Sequence, residues 1–300
     1  MPREKGAARL NTWRLWSVRE LFDLVERFRR DAPKDGDIGS LKARFRRAFM
    51  RTLQHMSELP DDARHAVDVL FVERGERLRI VESTDGTHMH ALPEMAVFVD
   101  SEPPPQSGAA SYCLWACLST KRRVAVAVPQ IADPTKTADI VLYQEEQDDW
   151  QRPGWTEKAV PAMYRPVTLV HGEDRQRYRS ILCIPIALRF PEDDARTFEP
   201  VGVLSITCDR PRPIGAVEIE WAWTCSFFLA ALLVEYRTCV QRFHGGMAPT
   251  TDDVIKVLQE RNSSGVPMPP ARTMAPPPAP PSGRHRRVEV VPNPRVRIGR

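Results

Sequence analysis

Residues Trp221–Val234, WAWTCSFFLAALLV, form the longest apolar run of the chain, and their length decides what they can be. Fourteen residues are too many for an ordinary strand and too few for a bilayer-spanning helix, which needs about 20. A helix apolar nearly all round is left, and such a helix must be covered on more than one side. The run predicts a helix over Gly215–Phe243, buried in a core or at a subunit interface. A chain of 300 residues supplies one substantial core plus appendages. The start, MPREKGAARL, leads into Arg14, Arg19, Glu20 and Asp23 rather than into an apolar stretch. No signal peptide and no membrane span are expected, and the expected location is cytoplasmic.

The material that could cover this helix lies upstream. Arg179–Phe190 (RSILCIPIALRF) and Val201–Cys208 (VGVLSITC), joined by the acidic link Pro191–Pro200, predict two adjacent strands. Ala66–Val72 (AVDVLFV) and Arg77–Glu82 (RLRIVE) predict a hairpin across Glu73-Arg74-Gly75-Glu76. Val124–Val128 predicts a buried strand, and Ala96–Val99 a short one inside the loop region Ser83–Ser107. Apolar residues at helical spacing predict helices over Leu10–Arg30 and Gly39–Ser57, the second with Ser40 as its N-cap. A third helix is expected over Gly108–Thr120, with Lys121-Arg122-Arg123 at the negative end of its dipole. Pro129–Arg177 is read as a polar, irregular insert.

Charge separates the body from the tail. From Phe243 to Arg300 nine Lys and Arg face four Asp and Glu, so the net charge of +4 belongs to the tail and the body is close to neutral. Specific nucleic-acid binding by the body is therefore not expected. The helix over Gly39–Ser57 carries Lys42, Arg44, Arg46, Arg47, Arg51 and His55 away from its apolar stripe, which is read as a solvated face. Eleven of the 28 prolines fall at or after Pro249, so residues 244–300 are expected to be mostly disordered apart from a short helix near Asp252–Arg261. PxxP spacings, such as Pro267–Pro270 and Pro278–Pro281, make a protein partner for this tail an expectation.

Catalytic patterns are missing. The six cysteines, at 113, 117, 183, 208, 225 and 239, sit in apolar runs without a CxxC pair, which speaks against disulfides or zinc. His88 and His90 lack a matching third ligand, Ser180 lacks a Gly-x-Ser-x-Gly frame, and no GxxxxGK or GxGxxG pattern occurs.

The strand Tyr178-Arg179-Ser180-Ile181-Leu182-Cys183-Ile184-Pro185-Ile186, followed by Val201-Gly202-Val203-Leu204-Ser205-Ile206, resembles the GAF family of sensor domains. Gly108-Ala109 opening a helix, Thr120-Lys121-Arg122 ending it, an apolar strand and Asp133-Pro134 add to the resemblance. It implies an α+β fold over residues 39–243: a central antiparallel sheet, the second and last helices together on one face, and a ligand pocket on the other. Residues 1–38 are then an N-terminal helical extension. The resemblance implies a non-catalytic sensor or interaction module that binds a small ligand and signals through a separate partner, with no cofactor named. Tyr112, Trp115, Cys183, Trp150 and Trp155 are the candidate ligand-binding residues, since small-ligand sites are apolar with few polar groups. No Cys is followed by His as in bilin-binding members. A few GAF-like proteins reduce free methionine sulfoxide, which makes Cys113 with Cys117 an alternative redox pair, and a scaffold acting through the tail is a further alternative. A homodimer through the terminal helices is also expected.

Overall fold

The computed structural model describes residues 2–34, 36–57, 65–73, 77–84, 95–96, 109–131, 140–146, 154–158, 178–188, 200–211, 214–243, 245 and 247–260. Eight strands form one sheet: β1 His65–Glu73, β2 Arg77–Ser83, β3 Met95–Ala96, β4 Val124–Val128, β5 Val141–Glu146, β6 Gly154–Lys158, β7 Ser180–Ala187 and β8 Pro200–Cys208. Their order is β3-β2-β1-β8-β7-β4-β5-β6, and every pairing is antiparallel. The helices are α1 Pro2–Asp31, α2 Ile38–Ser57, α3 Ala109–Thr120, α4 Ala216–Phe243 and α5 Thr251–Gln259. This is the α+β arrangement that the GAF resemblance implied.

Strand periodicity sorts the side chains into two cores. Val67, Val69 and Phe71 of β1, Leu182, Ile184 and Ile186 of β7, and Leu204 and Ile206 of β8 join a core with α1, α2, α4 and α5. Leu70, Val126, Cys183 and Val203 point the other way and join a smaller core with α3. On the larger side Phe45 of α2 stacks on Tyr236 of α4 at 4.3 Å and meets Phe28 of α1 edge-on at 6.2 Å. Ion pairs Arg14–Glu218 (2.7 Å) and Arg29–Glu235 (3.5 Å) set α1 alongside α4 in the same direction. α4 is apolar and long enough by composition to cross a membrane, but 61% of that stretch is buried inside the fold.

Two features of the central strands follow from single residues. The ladder between β7 and β4 stops at Cys183, two residues before Pro185, which has no N–H to donate. The freed carbonyl of Pro185 instead accepts from Ser226 Oγ of α4. Gly202 lies opposite Phe71 and so close to β1 that a Cβ there would meet the Leu70 carbonyl oxygen at 2.1 Å.

The structure departs from the sequence reading in several places. The region 129–177 is not wholly irregular, because β5 and β6 form a hairpin on the edge of the sheet. Of the strand expected over Ala96–Val99, Ala96 lies in β3 Met95–Ala96, and residues 97–99 lie outside the described residues. Asp37, not Ser40, caps α2: its carboxylate accepts from the Ser40 N–H at 2.8 Å and the Ser40 hydroxyl at 2.9 Å. His55 is buried rather than on the solvated basic face, with its ring 5.0 Å from that of Trp16. Beyond Phe243 the chain continues into α5, opened by a capping box between Thr250 and Asp253. Val254, Ile255, Val257 and Leu258 bury against β1, β2 and α2, so the packed body includes α5. Trp150, His88, His90 and residues 261–300 lie outside the described residues.

Candidate functional site

The sheet face opposite the large helical layer is covered, among the described helices, by α3 lying over β4, β7 and β8. A buried sheet face should be apolar, and here one line across it is not. Register places Ser83 of β2 opposite Asp68 of β1, Asp68 opposite Ser205 of β8, Ser205 opposite Cys183 of β7, and Cys183 opposite Val126 of β4. Four polar or polarisable side chains thus form a row spanning about 14 Å at ordinary strand spacing. All are buried, Asp68 to 4% exposure.

Hydrogen bonds tie the row together. The Ser83 hydroxyl donates to Asp68 Oδ1, and the Cys183 thiol donates to Ser205 Oγ at 3.8 Å. The Cys113 thiol of α3 donates to the Cys183 carbonyl at 3.3 Å, which fixes the helix over the row. Burial pushes the Cys183 thiol up to about 12; the Ser205 hydroxyl opposes this and the Asp68 charge adds to it. A carboxylate in such surroundings is costly unless it is hydrogen-bonded. The Ser83 hydroxyl is one such donor to Asp68.

The candidate residues divide between the two faces. Tyr112 is buried in α3, its ring 5.4 Å from that of Trp115, and both belong to the core around the polar row, as does Cys183. Trp155 does not. Its ring stacks on Trp223 of α4 at 6.1 Å and its indole N–H donates to Glu220, which places it on the helical face. The cause is strand alternation in β5 and β6: Tyr143 and Trp155 face α4, and Leu142 faces α3. Arg123 lies over the Trp223 ring at 5.6 Å and pairs with Glu145 at 3.5 Å, extending that cluster. Asp68, Ser83 and Ser205 were not singled out from the sequence, although Asp68 interrupts the apolar run AVDVLFV.

Other chemistry is thin. Burial raises the Cys113 and Cys117 thiols well above the ordinary range, with Cys183 and Cys117 adding to the effect at Cys113. Among the described residues no group of three or more His, Cys, Asp or Glu is placed to hold a metal ion. A cleft of about 40 Å³ opens where α1 and α4 meet the ends of β1, β7 and β8, lined by Arg14, His65, Ser180, Cys208, Glu218 and Trp221 among others. Ser180 there donates its hydroxyl to the Arg210 carbonyl at 2.9 Å.

No protein-family model and no curated protein matches the sequence. Solved structures similar to this one include the phycoerythrobilin-bound GAF domain from a cyanobacterial phytochrome, with a TM-score of 0.42 and 14% identity, covering 75% of this chain and 96% of that one. The phycocyanobilin-bound GAF domain from a cyanobacterial phytochrome gives 0.40 and 14%, over 73% and 96% of the two chains. The chromophore-binding domain of a bacteriophytochrome from R. palustris gives 0.32 and 13%, over 71% and 59%.

Proposed function

We propose that this chain is a non-catalytic sensor module whose ligand binds on the α3 side of the sheet and whose signal passes to a separate protein partner. The observation that carries the reading is the buried row Ser83–Asp68–Ser205–Cys183, framed by Tyr112, Trp115 and Leu70. Apolar walls with a few convergent polar groups are the pattern of small-ligand sites. Asp68 would supply the anchor, so the ligand class is a small, largely apolar or aromatic molecule bearing an N–H or ammonium donor. Catalysis has less support. A thiol reductase needs an accessible thiolate, and burial holds both Cys113 and Cys117 as thiols.

The test is native mass spectrometry of the purified full chain, followed by thermal shift against a set of small heterocyclic amines. The expected result is a bound species on the wild type, or a stabilising amine, that Asp68→Asn weakens at least tenfold while the variant remains folded. Wild-type protein free of bound species and unmoved by every amine would refute the reading, as would Asp68→Asn binding with undiminished affinity.

A further inference from the structure

The helical face of the sheet has a polar line of its own, at the end where β1 and β7 begin and β8 stops. Register sets Ser180 of β7 opposite Cys208 of β8, and Cys208 opposite His65 of β1. Each stands three residues along its strand from Cys183, Ser205 or Asp68, an odd offset that puts the two lines on opposite faces, about 10 Å apart. All three are buried, and the next residues inward on the same face are the apolar Leu182, Ile206 and Val67. Arg14 of α1 and Glu218 and Trp221 of α4 stand over this line without closing on it, which leaves the cleft of about 40 Å³.

Size and lining decide what the cleft can hold. Leu182, Ile206, Ile214 and the Trp221 ring supply apolar walls, while Arg14 and His65 bring nitrogen donors to them. About 10–15 Å³ accommodates one water molecule, so the space takes roughly three atoms of that size, enough for a tail of about two or three carbons. Charge decides the head group. Both oxygens of Glu218 accept hydrogen bonds from the protein, Oε1 from Arg14 Nη2 at 2.7 Å and Oε2 from the Gly215 N–H at 3.1 Å. An ammonium entering the cleft would meet the Arg14 guanidinium, with Glu218 committed to its own donors. A guanidinium, by contrast, carries five N–H donors in a planar fork and can serve Glu218 and a second carboxylate through different groups.

We infer that this cleft binds a short-chain monocarboxylate of acetate or propionate size, its head at Arg14 and His65 and its tail on Leu182 and Ile206. The site lies on the face opposite the α3 side of the sheet, and it does not rest on the reading of that side. A ligand of so few atoms makes few contacts, so a dissociation constant of roughly 0.1–5 mM is expected. Each methylene that reaches the apolar wall should tighten binding about fourfold until the tail outgrows the cleft.

Ligand-observed NMR on the full chain, with carboxylate exchanged for chloride at constant ionic strength, reads the affinity. Wild type should bind propionate saturably and about fourfold tighter than acetate, with hexanoate no tighter than propionate. Propionamide, similar in shape but uncharged, should bind about tenfold more weakly or worse. Arg14→Lys keeps the charge and loses the fork, and His65→Gln removes the imidazole. Each, checked for an unchanged melting curve, should weaken propionate about fivefold or more. Arg47→Lys, at an exposed position of α2, should bind as the wild type does. The absence of saturable binding up to about 50 mM overturns the inference, as does binding that folded Arg14→Lys and His65→Gln leave intact. Propionamide binding as tightly as propionate overturns the choice of an anion. Affinity that keeps rising to hexanoate assigns the binding to a larger apolar surface and overturns the cleft. If Arg14→Lys unfolds, His65→Gln and the chain-length series on the wild type carry the decision.

Discussion

Replacing Gly202 by Ala is the smallest change expected to do large damage. The added methyl would sit 2.1 Å from the Leu70 carbonyl oxygen and 2.5 Å from Phe71 Cδ1. Ordinary contact begins more than 1 Å further out, and the nearest atom is backbone of the last pairs of the β1–β8 ladder rather than a flexible side-chain end. Overpacking costs about 1–3 kcal/mol where side chains can adjust. Here the ladder itself must shift, so a loss near 3 kcal/mol is expected. In a unit of this size each kcal/mol moves the melting temperature by about 2–4 °C, which gives a drop of roughly 6–12 °C. Gly36→Ala serves as the control, since nothing lies within 4 Å of its added methyl. Urea and thermal unfolding of the two variants decide the matter. A Gly202→Ala protein within about 0.5 kcal/mol of wild type, the usual range for surface changes, would mean that β1 and β8 do not approach as described.

Three further outcomes are expected. Burial lowers the His55 pKa from 6.5, with Glu20 and the Ser17 carbonyl opposing, so the unfolded chain binds the proton more readily. Its stabilising contribution is full above about pH 6.5 and is lost as pH falls through and below that value, by at most about 1.4 kcal/mol per pH unit; His55→Gln should flatten that part of the stability profile between pH 5 and 7.5. The six cysteines are all buried and free, so native protein should resist a thiol reagent that labels every one of them in guanidinium, and no thiol-dependent reduction of methionine sulfoxide should be detectable. Removing residues 251–300 takes away the four buried apolar side chains of α5 and should cost several kcal/mol in urea, whereas removing only Gly265–Arg300 should leave stability within about 0.5 kcal/mol.

The strands around the centre of the sheet were legible because each is buried on both faces and reads as a continuous apolar run bounded by turn residues: AVDVLFV, VAVAV, SILCIPIA and VGVLSITC. α4 was legible for the same reason, its apolar perimeter being larger than one neighbour can cover. What failed was at the edges. β5 and β6 read VLYQEE and GWTEK, and an edge hairpin needs few apolar residues because much of its surface meets water. α5 was expected as a short helix near Asp252–Arg261, but its packing on the body was not, because it follows a stretch without pattern and precedes the proline-rich tail. Its four buried residues within nine are nevertheless a clear amphipathic signal, with Thr250 and Asp253 three apart at its start.

The candidate site was harder to read, for a reason of geometry. Tyr112, Trp115 and Cys183 could be proposed from one sequence segment at a time, since aromatic and small apolar residues on a helix and a strand suit any pocket. Trp155 was drawn in by the same logic and lies on the helical face rather than beside α3, because an edge strand of five residues gives too little alternation to fix its phase. The polar row needs three registers at once: β2 on β1, β1 on β8, and β8 on β7. Ser83 and Ser205 are each unremarkable in their own segments, and a one-residue slip in any ladder would send a member of the row to the helical face. Only Asp68 carried a local signal, as a charged residue inside a run otherwise suited to a strand buried on both sides, where a carboxylate must be hydrogen-bonded to be tolerated. A charge that sequence pattern places inside a central strand is therefore a pointer to a candidate site, and the register identifies the hydroxyls that attend it.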